Sequence, residues 1–144
     1  MKHIHYEEDF YGWTMQNVQF LKQRNYQEAD IEHIIEELEE MGTSNENQLI
    51  NRLAVLIAHL LKWQFQPDFR GRSWEGTIEE QRRKIERIIK KNPSLKPKIP
   101  EAIEEGFADS KAIIKKETPI DLKVLPENCP YTFDQIMDNE FYPD

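Results

Sequence analysis

One run constrains this chain more than any other: Leu49 to Pro67, "LINRLAVLIAHLLKWQFQP". Leu49, Leu53, Leu56, Leu60 and Trp63 recur at three and four residues, the spacing of one helical face. Ile50, Ile57 and Leu61 widen that face until most of the circumference is apolar. A helix of this kind belongs in the middle of a structure, covered by others. It is expected from about 45 to 66, and Pro67 ends it, since proline neither donates a backbone bond nor fits a helix interior.

Partners for it appear on both sides. Residues 9–24 read as a first helix with Asp9 as N-cap and Phe10, Trp13, Val18 and Leu21 as its apolar residues. "DIEHIIEELEEMG" reads as a second, with Ile31, Ile34, Ile35, Leu38 and Met41 on one face. Gly42 stands where a left-handed C-terminal residue is wanted, and Thr43 and Glu46 have capping-box spacing for the central helix. "PDFRGR" is a short connection, so the fourth helix packs antiparallel to the third. Ser73 is its expected N-cap, and Trp74, Ile78, Ile85, Ile88 and Ile89 form its buried face. A fifth helix is expected over about 98–117, with Gly106 permitting close approach to a neighbour. The prediction is an all-α, up-and-down bundle of four to five helices, helix three central. It forms a single domain over 1–144, with a loop-rich tail from about 119 and a last helical turn in "TFDQIMDNEF".

Composition agrees. Charged residues make up 32% of the 144 and there are only five glycines, which suits a helical protein rather than a turn-rich β fold. The lone Cys129 has no partner for an internal disulfide and points to a reducing, cytoplasmic setting. No apolar run approaches membrane-spanning length, and the N-terminus lacks a signal-peptide core, so no membrane association is expected. The net charge of −8 is unevenly placed: −8 over residues 1–50, +7 over 51–100 and −7 over 101–144. The basic block either neutralises its acidic neighbours or offers a face to an anionic partner.

Complete catalytic motifs are absent. Asp30 and His33 stand in Asp-x-x-His spacing, but a carboxylate-bridged metal pair needs Glu-x-x-His on two helices, and Leu56 precedes His59 by three. No metal and no cofactor is therefore assigned. Cys129 lies between prolines with nothing nearby to lower its pKa, and there is no phosphate-binding glycine loop and no nucleophile elbow.

The densest concentration of chemistry is "HLLKWQFQPDFRGRSWEGTIEEQRR", residues 59–83. The candidate cluster is His59, Lys62, Trp63, Arg70, Arg72, Ser73, Trp74, Gln81 and Arg82. Antiparallel packing centred near residue 69 or 70 sets Lys62 opposite Thr77 and brings Trp63 and Trp74 to one end. Arginines beside a helix N-terminus suit an anion, with tryptophan as a stacking surface. The competing reading is purely structural: tryptophans anchor the bundle end and the arginines pair with acidic side chains. Further along, Arg83, Arg87, Lys90 and Lys91 make a basic helical face, with Glu79–Arg83 and Glu86–Lys90 as i,i+4 pairs.

"DFYGW", "IIEELEEMG", "LAVLIAHLLKWQFQP", "RSWEGTIEEQRRKI" and "PENCPYTFDQI" together resemble the bacterial domain-of-unknown-function family numbered twenty-nine, over about 6–143. Its characteristic residues match at His59, Lys62, Trp63, Gln64, Pro67, Ser73, Trp74, Gln81 and Arg82. The resemblance implies a small, soluble, all-helical bacterial protein and brings no reaction, cofactor or catalytic residue with it. Three functions follow in order from the residues. The first is a non-enzymatic interaction or regulatory module with a protein partner, for which a homodimer is one form. The second is a nucleic-acid-associated protein using Arg70, Arg72, Arg83 and Arg87. The third is an enzyme with a His59–Lys62–Gln81–Arg72 pocket.

Overall fold

The computed structural model describes residues 2–144. Its helices are α1 (Phe10–Lys22), α2 (Ile31–Phe65), α3 (Arg72–Lys91), α4 (Ile99–Glu117) and the short α5 (Phe133–Met137). Short 3₁₀ segments at Pro67–Phe69, Pro93–Lys98 and Leu122–Val124 lie in the connections after α2, α3 and α4. The chain is an all-α helical bundle, as the periodicity predicts. Its contacts divide it into two compact units, Met1–Thr43 and Ser44–Asp144, each described here by itself.

The expected second and third helices are one. α2 runs unbroken through Gly42, Thr43 and Ser44 for 35 residues. Gly42 has no positive φ, so it ends nothing, and the Thr43–Glu46 capping box does not form. A lone glycine costs a helix about 1 kcal/mol relative to alanine, too little to break a helix that EELEEM before it and the apolar run from Leu49 carry across the weaker TSNENQ stretch. The left-handed residue is instead Arg24, at φ 56°, just beyond α1, where the Asn25 amide donates back to the Phe20 carbonyl at 2.8 Å.

In the first unit Trp13, Asn17 and Phe20 are buried on one side of α1. Asp9 caps α1 as expected, accepting from the Gly12 amide at 2.9 Å. Asp30 ties the start of α2 to α1. It accepts from Trp13 Nε1 at 3.0 Å, its own amide donates to Asn17 Oδ1 at 2.7 Å, and it pairs with His33 Nδ1 at 2.7 Å. The Tyr6 ring stacks on His33 with centroids 4.2 Å apart, and its hydroxyl donates to Glu37. That bond, with burial and the neighbouring glutamates, raises the Tyr6 pKa to about 12.

In the second unit the apolar part of α2 is the core. Leu53, Leu56, Ile57, Leu60 and Leu61 are fully buried, packed with Ile78 and Ile85 of α3, Phe107 and Ile114 of α4, and Tyr131 and Ile136 of the tail. Gly106 lets α4 sit against α2: a Cβ there would lie 3.1 Å from Leu53 Cβ and 3.3 Å from the Ala54 amide.

The two helical glycines therefore have opposite expected responses. Gly42→Ala, with open space around it, stabilises by about 1 kcal/mol. Gly106→Ala overpacks the α2–α4 contact and destabilises by about 1–3 kcal/mol. Thermal unfolding of the two variants beside the parent checks both signs.

Candidate functional site

The 59–83 cluster is largely internal, and most of its polar groups are satisfied within the chain. His59 donates from Nδ1 to the Val55 carbonyl, 2.8 Å away, one turn back along α2. Burial, with Lys62 nearby, holds its pKa below the ordinary value. Lys62 is 5% exposed. Its ammonium reaches Glu117 Oε1 at 2.5 Å and lies 5.9 Å from the centre of the Trp74 ring. Lys62 keeps the Glu117 carboxyl below its usual range. Gln81 and Arg82 are both buried on α3.

The arginines do not pair with acidic side chains as expected. Arg82 is 2% exposed and donates from Nε to the Ile136 carbonyl at 2.7 Å and from Nη2 to the Phe141 carbonyl at 2.8 Å. Its guanidinium lies 5.4 Å from the Tyr142 ring. Arg70 donates from Nε to the Trp63 carbonyl at 2.6 Å and lies over the Trp63 ring at 5.4 Å. A longer 3.4 Å bond links it to the Pro143 carbonyl. Trp63 packs on Tyr142, not on Trp74, with centroids 4.8 Å apart. Gln64 accepts from the Tyr131 hydroxyl at 2.7 Å, a phenol whose pKa burial raises. Among the described residues, Arg82 Nη1 and Gln81 Oε1 are the buried side-chain polar atoms left without a partner.

A planar guanidinium that bonds two main-chain carbonyls behaves as a clamp. Arg82, Arg70, Gln64 and Trp63 together hold the segment from Tyr131 to Pro143. These tail residues are the part that motif reading missed. The signal lay in the tail itself, where Tyr131, Phe133, Phe141 and Tyr142 are too apolar for a free loop.

Arg72 and Ser73 are placed differently, exposed at the start of α3. Gly71, not Ser73, is the N-cap, and the Ser73 carbonyl accepts from the Thr77 hydroxyl at 3.2 Å. The α3 ion pair that forms is Glu80–Lys84 at 2.8 Å. Glu79–Arg83 and Glu86–Lys90 do not close within the described residues. Arg83, Arg87, Lys90 and Lys91 point outward, as the basic face requires. Cys129 is half-buried, donates to the Tyr131 carbonyl at 3.5 Å and has its pKa raised by burial.

A second arrangement lies on the apolar face that the sequence marks from Ile31 to Met41. Ile31, Ile35, Leu38 and Met41 on α2 are 41%, 48%, 61% and 63% exposed. The face expected to be core is thus open to solvent in the first unit. Glu32 and Glu39 are exposed beside it, with Glu36 and Glu40 exposed farther round the helix, and none of the four closes an ion pair among the described residues. The three-and-four spacing of the apolar residues was legible; their exposure within the first unit was not.

These features define an all-α protein with a clamped C-terminal segment and a bare acidic–apolar helical face. Its sequence matches the family described as Domain of unknown function DUF29 over residues 5–142, and the chain belongs to that family. No curated protein and no solved structure matches it. Among the described residues, no three His, Cys, Asp or Glu side chains gather as metal ligands, and no helix is long and apolar enough to cross a membrane.

Two outcomes test the clamp. Arg82→Met leaves the Ile136 and Phe141 carbonyls without their donor and lowers stability by about 2–4 kcal/mol, with amide exchange over 131–142 rising most. His59 and Glu117 each contribute a loss of stability on acidification. His59 is held below its ordinary 6.5 and Glu117 below its ordinary 4.5, so at these groups the unfolded chain takes up protons that the native state refuses. The His59 share is lost as pH drops through the histidine range, where His33, raised by Asp30, contributes in the opposite sense, and the Glu117 share is lost through the carboxylate range. Denaturant melts at pH 7.5 and 5.5 check this, and His59→Gln removes the upper part of the slope.

Proposed function

We infer that this chain is a non-enzymatic protein-interaction module and that its contact face is the exposed side of α2 in the first unit. The observation that carries the reading is the apolar stripe Ile31–Ile35–Leu38–Met41, left open beside Glu32 and Glu39, which close no ion pair among the described residues. A contiguous exposed apolar stripe rimmed by charge is characteristic of protein interaction sites. The disposition of the hairpin cluster points the same way. Lys62, Gln81 and Arg82 are buried, and Arg70 is spent on carbonyls, so the cluster's chemistry is turned inward.

Nucleic-acid association has one observation in its favour, the outward Arg72, Arg83, Arg87, Lys90 and Lys91 on α3. It would show as affinity falling steeply with salt. Arg70, expected to join that set, is engaged with the Trp63 carbonyl.

Quantitative co-purification from native cells tests the module reading. The Leu38→Glu variant is expected to keep its circular dichroism and lose a stoichiometric protein partner, while Arg87→Glu retains it. Retention by Leu38→Glu and loss by Arg87→Glu would move the contact to α3. Recovery of nucleic acid alone, released by salt, would overturn the protein reading.

A further inference from the structure

We propose that the α2 face from Ile31 to Gly42 seats a basic amphipathic helix of another protein. This rests on the interaction reading above and names the chemistry of its partner.

The footprint is helical. Ile31, Ile35, Leu38 and Gly42 follow one another at four, three and four residues, a straight line along α2 about 16 Å long at 1.5 Å per residue. Docked amphipathic helices present anchors with the same spacing. Gly42 adds a dent to the line. It has no positive φ, so the backbone does not require glycine, and a Cβ there would meet nothing within 4 Å. It gives up about 1 kcal/mol of helix propensity and leaves room for a side chain that this chain does not supply.

Charge then selects the occupant. Glu32 and Glu39 lie next to the stripe on one flank and Glu36 just behind them, all exposed. On the other flank are Ile34, half-buried, and Glu37, whose carboxylate is taken by Tyr6. Glu32 and Glu39 thus line one edge of the stripe, where the other edge is bordered by Ile34 and Met41. A fitting helix carries aliphatic residues at the anchor spacing and lysine or arginine along the side that meets Glu32, Glu36 and Glu39. A second copy of this face is a poor match. The first unit holds ten acidic and three basic residues, net −7, and antiparallel pairing sets Glu32 and Glu39 against themselves. Anionic lipid and nucleic acid meet the same repulsion.

The test uses the full chain and three labelled peptides of about 18 residues, three anchors long with margin. One carries a leucine stripe with a lysine/arginine polar face. The second has the same stripe and a glutamate face. The third has the first peptide's composition, reordered so that the stripe is lost. Fluorescence anisotropy at two salt concentrations is read beside sedimentation velocity of the protein alone. The basic amphipathic peptide is expected to bind at least roughly tenfold more tightly than either control, a difference of about 1.4 kcal/mol. Leu38→Ser and the pair Glu32→Lys/Glu39→Lys are each expected to remove that preference, all three residues being exposed and their replacement leaving the helix content unchanged.

Equal binding of the reordered peptide would reduce the effect to bulk charge and overturn the proposal. Preferential binding of the acidic peptide would overturn the partner chemistry while leaving an interaction face in place. Self-association of the parent that Leu38→Ser abolishes would assign the face to a second copy. No binding by any peptide, with the cellular partner still lost in Leu38→Glu, would overturn the basic-helix occupant alone. No binding, with that partner retained in Leu38→Glu, would remove the interaction face itself.

Discussion

The second unit depends on the dry half of α2. From Leu53 to Leu61 nearly every side chain is buried, because apolar residues occupy almost the whole circumference. A helix in that state needs cover on all sides. α3 and α4 cover it with Ile78, Ile85, Phe107 and Ile114, and the tail covers it with Tyr131 and Ile136. The tail lacks long helices of its own and is held by side chains it covers: Arg82 from α3 and Arg70 from the turn before it donate to tail carbonyls, and Gln64 from α2 accepts from the Tyr131 hydroxyl. The most motif-like stretch of the sequence is thus what closes the core.

This changes what the density of arginine and tryptophan means. Arginine beside aromatic rings is equally good at gripping phosphate and at gripping main-chain carbonyls. Burial decides between them. At 2% exposure, with Ile136 and Phe141 as its acceptors, Arg82 is committed to the fold. Arg72, Arg83 and Arg87 carry the same group with no such commitment. The candidate cluster therefore contains two populations, one internal and one at the surface, which adjacency in sequence had merged.

Much of the architecture was legible because it follows from periodicity and proline. The limits of α3 and α4, the end of α2 before Pro67 and the N-cap at Asp9 all have local causes. Gly42 misled for a physical reason: glycine permits a left-handed residue but does not demand one, and the helix-forming EELEEM and LINRLAV segments carry the helix across the weaker TSNENQ stretch between them. Ser73 misled similarly, since α3 begins at Arg72, two residues before the start that a Ser73 cap implies. The clamp on the tail was beyond local reasoning, because Arg82 and Phe141 are 59 positions apart. The bare stripe was half legible. Amphipathic spacing shows that a face wants cover, not whether its own chain provides it.

The account's central claim is that contact with a partner is made on the α2 face of the first unit while the hairpin cluster serves the fold. Amide hydrogen exchange on the isolated protein and on its purified complex with the cellular partner tests this most directly. The account predicts new protection over residues 31–42 and unchanged exchange over 59–82. New protection centred on 59–91, with 31–42 unchanged, would contradict it and return the binding role to the basic hairpin.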